Sequence, residues 1–205
     1  MKAEFPKSPS EAELAAKTMV QIWAEAVVRQ AAVARANRKK DDAAFRNYER
    51  GETWSPDFED ELGATWRTRW ASEHILVWSA HQLERWAIRL ADLQGTEQPE
   101  ENKKLKAVRD ALEHLDEADL TETTATAPTP QRKNDPKGRA LRNDFPNESM
   151  SLGLGGRKLF DLLDPEELDK TALKILRQIR KEVDLERVRK ENAEVSAYVD
   201  MLMER

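Results

Sequence analysis

Apolar residues recur at spacings of three and four along most of this chain, and the residues that interrupt such patterns are bunched. Residues 10–50, 64–94, 100–127 and 166–205 contain neither Gly nor Pro. In the first stretch Val20, Trp23, Val27 and Ala31 trace one face of a helix. Ser8-Pro9-Ser10-Glu11 precedes it with an N-cap, a first-turn proline and a box-closing acid. From Arg35 to Asp42 the sequence is polar all round, so the helix is either solvated or broken there; Ala44, Phe45 and Tyr48 form a second apolar patch before Gly51.

The second stretch has apolar residues on more than one face, among them Trp66, Trp70, Leu76, Trp78, Leu83 and Trp86. That pattern suits a helix central in a bundle or carrying an additional interface. All six tryptophans lie between Trp23 and Trp86, which places the heart of the core there. In the third stretch Leu105, Val108, Leu112 and Leu115 form a seam that fades after Leu120. The Thr- and Pro-rich residues 121–149 read as a polar loop or linker. Short alternating pieces around Gly155-Gly156 fit a small β-hairpin; the Lys-Ser/Thr ending of a phosphate loop is missing. Asp164-Pro165-Glu166-Glu167 then caps a last helix. Its stripe Ala172, Leu176, Ile179, Val183 is out of phase with Val188, Val195, Val199, Leu202, so it bends near Asp184 or packs its halves on different partners. The expected fold is an all-α bundle of four long helices. Residues 1–120 form its core, 121–149 a loop, and 150–205 a hairpin with the completing helix.

Composition narrows the function. Only 7 Gly and 9 Pro among 205 residues argue against a sandwich of short strands, which needs a turn about every 8–12 residues. Charged residues make up 36%, and no run approaches the ~18 apolar residues of a membrane span, so no membrane partner is expected. The absence of cysteine removes disulfides, thiolate metal sites and a thiol nucleophile. No secretory leader is visible, which points to the cytoplasm. A net charge of -5 disfavours duplex DNA as a partner. His74, His81 and His114 are the only imidazoles. The first two lack a third ligand and read as satisfied interior or interface histidines; no metal or other cofactor is implied. Trp66 and Trp70, beside Arg67 and Arg69, could stack RNA bases, but tryptophans at this spacing more often belong to a core.

The chemistry-bearing segment is Arg109-Asp110-Ala-Leu-Glu113-His114. With the leucine seam as the buried centre, His114 points about 140° away and Arg109 about 80° away on the helical period. Arg109 and Glu113 form an (i, i+4) pair, and Asp110 lies one turn before His114, where it can accept a ring N–H. Charge pairs at this spacing are also commonplace on solvated faces.

The segment resembles the R-X4-6-H motif of the HEPN superfamily, with a polar residue directly after the arginine and long helices before and after. The resemblance covers about ten residues and the helical layout. It implies a helical bundle that dimerises and cleaves RNA without metal, in a toxin or defence role, with an antitoxin protein as a further partner. His114 would be general base or acid, Arg109 would stabilise charge on phosphorus, and Asp110 and Glu113 would orient them. Arg132, Lys133, Lys137, Arg139 and Arg142 in the loop are candidate RNA-binding cations. Two places after the histidine, where toxins paired with nucleotidyltransferases often carry tyrosine, this chain has Asp116. The alternative is a non-catalytic helical protein that acts by homo- or hetero-association, as a regulator or assembly subunit.

Overall fold

The computed structural model describes residues 9–51, 57–121, 123–132, 135–152 and 158–183. It is mostly helical with a small sheet. In chain order the elements are α1 (Glu11–Glu49), α2 (Phe58–Gln94), α3 (Lys103–Glu113), β1 (Asp119–Leu120), β2 (Thr124–Thr126), α4 (Arg139–Asp144), β3 (Ser149–Ser151) and α5 (165–183).

α1 starts one capping box later than the Ser8–Glu11 frame. The Ser10 hydroxyl accepts the Glu13 N–H at 3.2 Å, and the Glu13 carboxylate accepts the Ser10 N–H. Both sequence frames satisfy the same S-x-x-E rule. Beyond the cap, small and branched residues alternate along the buried face: Ala16, Val20, Ala24, Val27, Ala31 and Ala34. They let α2 approach closely, and α2 returns antiparallel to α1, as the cross-links from Arg38 to Glu73 and from Asp41 to Arg69 show.

The polar run from Arg35 to Asp42 neither breaks the helix nor faces only water. Asp41 is 1% exposed and Arg69 3%. The Arg69 guanidinium donates to Asp41 and Asp42 at 3.1 Å and to Glu73 at 3.0 Å, while Arg38 donates to the same Glu73 oxygen at 2.7 Å. Thr65 Oγ1 donates to the second oxygen of Asp41 at 3.1 Å. Enclosed charges are tolerated when paired and hydrogen-bonded in this way.

The core draws on the expected stretch from Trp23 to Trp86 but also extends beyond it, to Val108, Met150 and Leu159. The largest fully buried side chains include Leu76, Val77, Val27, Val108, Met150 and Leu159, whereas Trp23, Trp70 and Trp86 pack against that cluster while partly exposed. Trp70 meets Phe160 edge-on with ring centres 6.0 Å apart. Trp66 Nε1 donates to the Leu152 carbonyl at 3.3 Å.

α3 is much shorter than the seam suggests, and Leu115 lies beyond it in a single 3₁₀ turn. Glu113, Asp116, Glu117 and Asp119 would all stand at the negative end of a longer helix, and no basic residue occupies the last turn of α3. The residues read as a loop are built into the body. β1, β2 and β3 form an antiparallel sheet in that order, with Ala125 opposite both Leu120 and Met150. Ala125, Leu141 and Phe145 are buried. The first strand of the expected hairpin thus pairs with β2, while Gly155-Gly156 lies outside the described residues. Leu159 and Leu163 form a separate bridge.

The α5 cap is as the sequence predicts, with the Asp164 carboxylate accepting the Glu166 N–H at 2.8 Å. α5 runs antiparallel to α1, tied by Lys17–Glu182 at 3.1 Å and Arg35–Asp169 at 2.8 Å. Ala172 and Ile179 are buried. The second apolar stripe and the change of phase at Asp184 lie outside the described residues.

Removing Arg69 leaves Asp41 enclosed without its cation. Arg69→Met is therefore expected to lower stability by about 3–5 kcal/mol, read from the urea midpoint. A midpoint equal to that of the unaltered chain would show the network to be energetically idle.

Candidate functional site

The end of α3, the turn after it and α4 enclose an open cleft of about 720 Å³. Lys103, Lys106, Asp110 and His114 line it from α3 and its end, Glu117 from the turn, and Arg139 from α4. His114 is the C-cap of α3, with φ −112° and ψ 23°. Its side chain is 60% exposed, in line with the direction read from the helical phase. Its hydrogen-bond partner is not the one expected. Nδ1 lies 3.1 Å from Glu117 Oε1, and the other Glu117 oxygen accepts the Gly138 N–H at 3.3 Å.

Asp110 serves Arg109 instead. The Arg109 guanidinium contacts Asp110 at 2.9 Å and also pairs with Glu113. Asp110 and His114 share the cleft, but Arg109 and Glu113 do not line it. Five residues apart on one helix, Arg109 and His114 diverge within a single chain. Arg109 instead lies near His81 of α2, close enough for its charge to act on that ring.

His81 is 7% exposed, and neither ring nitrogen meets a hydrogen-bond partner among the described residues. The ring is interior, as the sequence predicts, but no described protein group satisfies its nitrogens. Burial, reinforced by the Arg109 and Arg85 charges and opposed by Glu113 and Asp110, pushes its pKa below the ordinary 6.5. His74, edge-on to Trp70 with centres 5.3 Å apart, is also held down by burial.

The loop cations divide. Arg139 reaches the cleft, whereas Arg132 and Lys137 are exposed outside its lining. Arg142 is engaged internally, donating to the carbonyls of Pro128 at 3.0 Å, Lys137 at 3.1 Å and Asp135 at 3.5 Å. Lys133 lies outside the described residues. Lys103, Lys106 and Arg139 share the cleft with Glu101, Asp110, Glu117 and Asp144, so its carboxylates outnumber its fixed cations by one. Among the described residues no cluster of three or more His, Asp or Glu side chains could hold a metal ion.

Sequence reasoning misses Lys103, Lys106 and Glu117 as cleft residues. The available signal for Glu117 is its spacing, three residues after the histidine across the end of the helix. No family model matches the chain, and comparison with curated proteins and with solved structures finds no match.

His81 fixes the sign of a pH effect. Its folded-state pKa is depressed, so between that value and 6.5 the unfolded chain binds more protons than the folded one. Its neutral form is compatible with the fold above pH 6.5, and stability falls as pH drops below it. From about pH 7.5 to about pH 5.5 the urea midpoint should fall more steeply for the unaltered chain than for His81→Phe. Parallel pH profiles would remove His81 as the cause.

Proposed function

We propose that the protein is a HEPN-like, metal-independent endoribonuclease acting as a homodimer in a toxin or defence setting. In this reading α1, α2, α3 and α5 are the four bundle helices. The observation that carries it is the placement of the motif: His114 stands exposed in an open cleft at the very end of α3. The divergence of Arg109 and His114 within one chain favours a site completed by a second copy, where the arginine of one copy meets the histidine of the other.

The chemistry follows from those groups. A neutral His114 takes the proton of a ribose 2′-hydroxyl as the 2′-oxygen bonds to phosphorus. The P–O5′ bond breaks, the departing 5′-oxygen takes up a proton from solvent, and His114 later returns its own proton to solvent. A 2′,3′-cyclic phosphate and a 5′-hydroxyl result. Arg109 offsets the negative charge that builds on the phosphoryl oxygens. Lys103, Lys106 and Arg139 supply the cationic contacts along the cleft, a different set from the loop cations alone.

A second reading, action by association without catalysis, is favoured by Ile75 and Trp78, which stand 48% and 41% exposed on α2. In that case His114→Ala would be silent.

Under the ribonuclease reading, the full chain cleaves single-stranded RNA in the presence of a chelator. His114→Ala lowers the rate about 10²–10⁴-fold, with circular dichroism and solution mass unchanged. RNA surviving equally with both proteins would sink the reading. Mixing inactive Arg109→Ala and His114→Ala chains should restore cleavage, because the heterodimer has one site with both wild-type groups. Failure to restore it, with mixed dimers present, would place both groups in the same chain's site.

A further inference from the structure

A histidine serves as a base through the ring nitrogen that carries no proton. A neutral imidazole has one N–H and one lone pair, and the hydrogen bond made by one nitrogen settles the role of the other. An unrestrained ring favours the proton on Nε2, which would leave His114 with the wrong nitrogen available. At His114 the bonded nitrogen is Nδ1, 3.1 Å from Glu117 Oε1. A carboxylate only accepts hydrogen bonds, so in the neutral ring Nδ1 has to be the donor.

Glu117 is itself held in place. Its second oxygen accepts the Gly138 N–H at 3.3 Å, which joins the turn after α3 to the residue that opens α4. Gly138 has φ +63°, and a Cβ there would collide with the Pro128 ring, so this backbone position is reserved for glycine. Asp110, the other acid near the ring, is committed to Arg109 at 2.9 Å. The sequence Gly138 N–H, Glu117 carboxylate, His114 Nδ1–H thus runs from the far wall of the cleft to the imidazole.

We propose that Glu117 is a positioning residue: it fixes neutral His114 as the Nδ1–H tautomer and keeps Nε2 available as the proton acceptor, while the Gly138 N–H fixes Glu117. The catalytic consequence rests on the reading of His114 as the base in RNA cleavage; the tautomer itself does not.

The test uses the full chain labelled with ¹⁵N-histidine, above the pH at which imidazole is charged. Two-bond ¹H–¹⁵N correlations identify which ring nitrogen carries the proton, with the signals of His114 assigned by their loss in His114→Ala. Wild-type His114 is expected as Nδ1–H. Glu117→Ala should shift it toward Nε2–H, and Glu117→Gln, whose amide oxygen can still accept from Nδ1, should recover Nδ1–H in part. Wild-type His114 found as Nε2–H overturns the proposal with no variant needed, as does an Nδ1–H population unchanged by Glu117→Ala. In RNA cleavage, Glu117→Ala should lower kcat by about tenfold or more with KM little changed, and Glu117→Gln should lower it less. If His114→Ala cleaves RNA normally, the ribonuclease reading fails while the tautomer result still decides what Glu117 does.

Discussion

Arg69 sits in the interior between the two longest helices, and an enclosed guanidinium is tolerated only where carboxylates meet it in good geometry. Asp41 from α1 and Glu73 from α2 provide that geometry. The alanines along α1 would pack against α2 about equally well one turn up or down, because small residues discriminate poorly between neighbouring registers. A slip of one turn, roughly 5.4 Å, would instead leave Asp41 enclosed without its cation, while Arg69 would keep only Glu73 on its own helix. Charge therefore selects the register of the α1–α2 hairpin, and the aliphatic side chains fill the space that the register defines.

With α2 fixed, the position of α3 follows. Glu84 of α2 accepts the Asn102 N–H at 2.6 Å, and Asn102 is the N-cap of α3. Burial pushes the Glu84 carboxyl pKa up, an effect opposed by that same backbone hydrogen bond. From this start, Leu105, Val108 and Leu112 turn the apolar face of α3 inward. The acidic residues that follow stop the helix at His114. The imidazole is thus placed by events at both ends of a short helix: an anchored beginning and an electrostatically unfavourable continuation.

The long helices are legible in the sequence because a period of 3.6 residues, repeated over many turns, leaves a dense signal. Val20, Val27 and Ala31 declare their face without reference to any other part of the chain. Asp41 cannot do so. Charged residues are mostly exposed, and the fact that makes this one internal is a guanidinium 28 positions away. The strands, at two or three residues, are too short to show alternation, so the Thr-rich segment resembles a loop. At the site, the Arg109–Glu113 pair is visible as an (i, i+4) spacing. The His114–Glu117 contact depends on where α3 ends, and its hold on Gly138 depends on how α4 docks. Neither is written in local periodicity.

Arg142 gives the far wall of the cleft a mechanical character. From within α4, one guanidinium gathers the carbonyls of Pro128, Asp135 and Lys137. Asp135 in turn accepts the backbone N–H groups of Gln131 and Lys137 at 3.0 and 3.2 Å. Leu141 of the same helix is buried in the core. The wall that carries Arg139 and the Gly138 N–H is therefore pinned on two sides, to the core by an aliphatic side chain and to its own loop by a guanidinium.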